Sequence, residues 1–243
     1  MRRSSSGFPG RSVLAASIAA AIAAAVAAQQ GGTMKEVIQS KLAAIKQSQA
    51  ANQAALRQYG WTETVQFALK GEVKSNKQMS CRYGPDGKVA RTPIGPPPEQ
   101  QKMGPLKRRI VEEKKEEIGD TMQSVQAVVA LYVPPDGQKM EQAFQAGNVS
   151  LDRPGAGEAG LVFKNYAKPG DSMTLDFNMG TKKLAALNVS SYMSDPSQPV
   201  AVAVQFATLP DGTSYPNTTV LTVPAQAIQV TITNSNYQKL TAP

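Results

Sequence analysis

Very few residues in this chain could carry chemistry. Its 243 residues include one cysteine and no histidine. Cys81 lies in NKQMSCRYGPDGKVARTPIG, residues 76–95. A thiol there could be a nucleophile, half of an intermolecular disulfide, a lipid anchor or a small apolar filler. It alternates with Met79 and Tyr83, which would share the inward face of a strand while Arg82 points the other way. With no imidazole to raise its nucleophilicity, Cys81 reads as a buried filler, and a redox or dimer-forming thiol is the alternative. The missing histidines also remove the commonest general base and the commonest metal ligand.

The acids add little. Asp152, Asp171, Asp176 and Asp195 are scattered over turns and strands without metal-ligand spacing. No phosphate-binding loop, GxSxG elbow or CxxC pair is present. The expectation is a protein that is not an enzyme and uses no cofactor and no metal. The run KRRIVEEKKEEIGD, residues 107–120, surrounds an apolar stripe with charges of both signs. That is the usual look of a solvated helix face. Contact of Lys107, Arg108 and Arg109 with anionic head groups is the alternative. Asn148, Asn188 and Asn217 fit the N-x-[ST] pattern, which many unmodified chains also carry.

The elements that must position these residues begin after a targeting segment. Arg2, Arg3 and Arg11 precede the unbroken Ala/Val/Ile/Leu/Ser run from Val13 to Ala28. At 16 residues the run falls short of the roughly 20 needed to span a bilayer. It is expected to be a secretory signal (residues 1–28) cleaved near Ala27 or Ala28, which places the protein in the periplasm. Losing its three arginines lowers the formal charge from +8 to +5. That is a mildly basic surface, with no nucleic-acid footprint. Residues 29–243 can bury one core, and the single thiol fits an exported chain that folds without disulfides.

Thr33 and Glu36 have capping-box spacing, and the apolar pattern predicts a helix over about 34–58. From Gly60 the period becomes two. Trp61, Val65, Phe67 and Leu69 share one face, and Thr62, Thr64 and Gln66 share the other. A second strand carries Met79, Cys81 and Tyr83 and ends at the GPDGK turn; RTPIGPPPEQQKMGP then reads as a connector without regular structure. Leu106, Ile110, Ile118, Met122, Val125, Val129 and Tyr132 mark the strongest helix, stopped by Pro134-Pro135. A shorter helix at DGQKMEQAFQAG has Gly147 as its C-terminal cap. After the glycine-rich DRPGAGEAG loop, five or six alternating strands follow. The fold class expected is α+β: a curved antiparallel sheet, or half-closed β-barrel, covered by helices, with a helical insertion at about 104–147.

In VSSYMSDPSQPVAVAVQFATLPDGTSYPNTTVLTVPAQAIQVTITNSNYQKL, a strand, a PDG hairpin and a final strand follow one another. With the leading helix, the strand pair and the helical insertion, this layout resembles the LolA/LolB-like superfamily of outer-membrane lipoprotein-sorting proteins. The resemblance covers about Trp61 to Leu240 and rests on layout and ending. It implies a half-closed barrel lidded by helices around an apolar concavity that holds acyl chains. The PIGPPPEQQKMGPLKRRI insertion departs from the simple carriers. Expected lining residues are Trp61, Val65, Phe67, Leu69, Met79, Leu175, Phe177, Val204 and Phe206 on the strands, with Met122 and Met140 on an adaptable helical lid. The same alternation also describes plain core burial. The expected function is periplasmic, non-enzymatic carriage of lipid or lipoprotein acyl chains. Expected partners are that ligand and an inner- or outer-membrane protein, with the carrier a monomer. The alternative is a structural or interaction domain of the cell envelope with a filled core and no ligand.

Overall fold

The computed structural model describes residues 36, 47, 50–95, 118–152, 157–181 and 183–240. The expected targeting segment, most of the first expected helix, the connector beyond Gly95 and the Lys107–Arg109 cluster lie outside the described residues. Glu36, Gln47 and Ala50 are helical. Helix α1 is followed over 50–56, α2 over 118–129, and α3 over Gly137–Gln145.

Ten strands form one sheet: β1 (Tyr59–Leu69), β2 (Glu72–Tyr83), β3 (Val89–Ile94), β4 (Val149–Asp152), β5 (Glu158–Lys164), β6 (Ser172–Asn178), β7 (Lys183–Tyr192), β8 (Pro199–Thr208), β9 (Ser214–Val223) and β10 (Ile228–Lys239). Their order is β3-β2-β1-β10-β9-β8-β7-β6-β5-β4, and every neighbouring pair is antiparallel. Two meanders meet at the β1–β10 pair, so the last strand zips against the first in the middle of the sheet. The sheet is not closed, because its edges β3 and β4 do not pair. The fold is α+β with a curved open sheet.

Local chemistry sets the turns. Lys70 and Gly71 both have positive φ, +53° and +79°. That makes the two-residue hairpin between β1 and β2, where such backbone twist matches the strands. Asp136 caps α3 by accepting from the N–H groups of Gln138 and Lys139, and Gly147 (φ +75°) ends it.

Two expectations need correction. Arg91–Ile94 is not connector but strand β3, with Pro93 opposite Met79. Proline is tolerated there because an edge strand leaves half its backbone groups unpaired. After the glycine-rich loop six strands follow, within the five or six expected; what was missed is a short strand before it, Val149–Asp152, which pairs with β5. Four residues are too few for alternation to announce a strand.

The inner face of the sheet carries the core. Val125, Val128 and Tyr132 from α2 and its end, and Met140 and Ala143 from α3, pack on Leu161, Phe163, Met173, Leu175, Leu187 and Val202. Tyr132, Phe163, Met140 and Met173 are completely buried. Among the described residues these buried side chains form one continuous cluster beneath α2 and α3.

Candidate functional site

On the inner face of β1, Leu69, Phe67 and Val65 stand opposite Ile228, Val230 and Ile232 of β10. Ile228 and Val230 are buried, whereas Val65, Phe67, Leu69 and Ile232 are half-buried at the rim of the core. Met122, Phe177 and Phe206 are likewise partly buried against the core. Alternation puts one apolar side chain of β1 on this face every second residue, and successive ones lie about 7 Å apart. With their β10 partners they make an apolar strip along the β1–β10 pair. On its other flank, β2 sets Ser75 opposite Phe67 and Lys77 opposite Val65.

The next rows change character. Glu63 stands opposite Asn234 on one side and Met79 on the other. It is 6% exposed, and its carboxylate accepts from Arg91 Nε at 2.7 Å and Nη2 at 3.2 Å. This two-pronged bond is the main reason Arg91 is held protonated above its ordinary range. Trp61 Nε1 donates to Asn234 Oδ1 at 3.1 Å, and Asn234 Nδ2 donates to the Pro216 carbonyl at 2.9 Å. Trp61 stacks on Tyr237 with centroids 5.5 Å apart and planes 9° apart, and it meets Tyr83 at 5.4 Å. Burial raises the phenol pKa values of Tyr83 and Tyr237. Cys81, opposite Trp61, is 1% exposed, and burial pushes its thiol up. It is the small apolar filler of this aromatic cluster.

A second polar cluster lies where the α2–α3 connection meets the sheet. Asp171, 2% exposed, follows the β5–β6 loop. Its Oδ1 accepts from Tyr166 N–H at 2.6 Å. Its Oδ2 accepts from the N–H groups of Ala167 (2.9 Å) and Lys168 (2.7 Å) and from the Tyr132 hydroxyl (2.5 Å). Ser191 Oγ lies 2.8 Å from the same hydroxyl. Burial, then the bond to Asp171, raises the Tyr132 phenol far above its ordinary value. Burial also pushes Tyr166 up to about 12, and its hydroxyl accepts from Asp136 N–H at 2.6 Å. Neither phenol can act as a base near neutrality, and both oxygens of Asp171 are engaged. The cluster ties the helical cover to the sheet. Beside it lies a surface depression of about 280 Å³ lined by Pro169, Gly170, Ser190, Ser191, Tyr192, Pro196 and Pro199. Among the described residues no three His, Cys, Asp or Glu side chains gather as a metal site.

The expected lining residues divide by position. Met140, Leu175 and Val204 are sealed in the core at 0–1% exposure, and Trp61 is buried in the aromatic cluster. Val65, Phe67, Leu69, Phe177, Phe206 and Met122 line the rim, and Met79 is half-buried on β2. Sequence reasoning missed Glu63, Lys77 and Arg91. Glu63 and Lys77 had a legible signal, since each occupies an inward position of its strand's alternation. Arg91 had none once its segment was taken for a connector.

No protein-family model matches this chain, and no curated protein is similar to it. Among solved structures, the chain is similar to a DUF1329 family protein from Desulfovibrio piger. The identity is 11%, over 79% of this chain and 90% of that one, with a TM-score of 0.35. A likeness this low carries no argument about function.

Proposed function

We propose that the protein is an exported, periplasmic, non-enzymatic carrier that binds an acyl chain of a lipid or lipoprotein on the inner face of its open sheet. The observation that carries this reading is the half-buried apolar strip of Leu69, Phe67, Val65 and Ile232 on the inner face of a sheet that does not close. An alkyl chain laid on it would gain about 0.8 kcal/mol for each methylene removed from water. The non-enzymatic reading is supported by Cys81 and Asp171. The groups with most reactive potential in the two polar clusters, they are buried and already engaged in packing or hydrogen bonding. The expected targeting segment and the resemblance of the sequence layout to the LolA/LolB-like superfamily support the same reading.

The test is native mass spectrometry of the mature protein purified from a bacterial periplasm, followed by organic extraction. Bound lipid or acylated peptide, displaceable by a fluorescent acyl probe, is the expected result. The Phe67→Ser variant should bind the probe at least several-fold more weakly. An apo mass together with no probe binding refutes the carrier. The continuous buried cluster beneath α2 and α3 favours a second reading, an interaction domain with a filled core. That reading would then stand.

A further inference from the structure

Five adjacent strands, β1, β10, β9, β8 and β7, hold three charged residues between them. Lys183 opens β7, Lys239 closes β10, and Glu63 points inward to Arg91. Away from those strand ends, the outer face carries only uncharged side chains, chiefly Thr, Ser, Asn, Gln and Ala. Thr64, Thr233, Thr218 and Gln205 stand in one row straight across β1, β10, β9 and β8. Asn76, Gln78 and Ser80 of β2 continue the same face. At its margin Val73 and Ile94, opposite Ala68 and Gln78, are 55% and 47% exposed. They are the most exposed large apolar side chains among the described residues.

A strand face that meets only water normally mixes charged side chains of both signs into its outward positions. Charges are what the core of an interface leaves out, because each would have to be stripped of water. The hydrophobic core already takes the inner face, which leaves the outer one to meet another body. We infer that two copies of this chain pair through the outer faces of their sheets about a twofold axis, in place of the monomer expected from the sequence. A hydroxyl or a carboxamide is donor and acceptor at once, so rows of Thr, Asn and Gln match their own copies, which a charge cannot do. A chain with a net positive charge also meets its copy with least repulsion where neither brings a charge. Six strands about 4.8 Å apart and three outward rows about 7 Å apart cover about 29 Å by about 20 Å, or about 600 Å² in plan on each partner. Side-chain relief carries that toward the about 800 Å² that a stable interface buries on each side. Two sheets of the same twist pack face to face at about −30°. The apolar strip lies on the opposite face and stays open in such a dimer.

The experiment is sedimentation equilibrium of the purified mature protein at micromolar concentration. The expected mass is twice that of the chain, with a dissociation constant nearly independent of salt, because no charges meet across the interface. Val220, between Thr231 and Ala203, lies near the middle of the face. Val220→Lys should weaken the dimer about a hundredfold, since it brings a desolvated charge from each copy to the interface. Thr231→Lys, one strand away, should do the same and serves if the first variant does not fold, as judged by its circular dichroism and tryptophan emission. Lys77→Glu places a larger change of charge on the opposite face, at an exposed position, and should leave the dimer intact. A wild-type protein that sediments as a monomer overturns the inference. So does a folded Val220→Lys or Thr231→Lys variant with the wild-type dissociation constant, or a dimer that salt dissolves.

Discussion

Removing a single oxygen tests whether the Asp171 cluster holds the helical cover down. The Tyr132→Phe variant keeps the ring, which is completely buried, and deletes the hydroxyl that reaches Asp171 at 2.5 Å. A hydrogen bond to a charged acceptor contributes about 1.5–3 kcal/mol. Asp171 keeps its three backbone donors from Tyr166, Ala167 and Lys168, so the carboxylate is not orphaned. The loss should therefore lie toward the middle of that range, about 2 kcal/mol, including the partner lost by the buried Ser191 hydroxyl. For a domain of this size that corresponds to a fall in Tm of about 4–8 °C. Asp171→Ala strips the acceptor from four donors at once and should cost more, about 3–5 kcal/mol. Urea unfolding followed by tryptophan fluorescence and by far-ultraviolet circular dichroism measures both. A Tyr132→Phe cost below about 0.5 kcal/mol would refute the account, as would a cost equal to that of Asp171→Ala.

Two further outcomes follow from burial. Cys81 should be inert to Ellman's reagent in the native protein and react fully in denaturant, because burial raises its thiol pKa and leaves 1% of the residue exposed; rapid native labelling would refute its role as filler. Asp176 is pushed above the usual carboxylate range, mainly by burial, and one of its oxygens has no hydrogen-bond donor among the described residues. The folded state thus holds that proton more tightly than the unfolded chain, so stability falls as pH rises through the window just above 3.8. Asp176→Asn should remove that slope and stabilise the protein at neutral pH by about 1 kcal/mol, as read from its unfolding midpoint.

How much of this was legible beforehand depended on the range of the interactions. The alternation of Trp61, Val65, Phe67 and Leu69, and of Ile228, Val230 and Ile232, located both strands of the site, because side-chain direction in a strand is set by local backbone geometry. The same rule makes α3 readable from its Asp136 cap and Gly147 stop. It placed Cys81 inward between Met79 and Tyr83, where the structure finds it buried. Local rules say nothing about which strand lies beside which. That β10 docks on β1, with Ile228 opposite Leu69 from 159 residues further along the chain and Gln238 opposite Gly60 from 178, is decided by which apolar faces can be buried together. Arg91 illustrates the limit. Its proline-rich surroundings read as irregular, yet the edge of the sheet tolerates Pro93 and brings the guanidinium to Glu63, 28 residues earlier. Asp171 likewise looks like one more turn acid until Tyr132, 39 residues away, arrives to complete its shell. Neighbours along the chain suffice for the alternating strands, the α3 cap and stop and the inward faces, whereas β3 and β4 are strands only through the partners they pair with. Which inward residues are sealed core and which are rim is set by the fold, since exposure depends on whatever the rest of the chain lays on top.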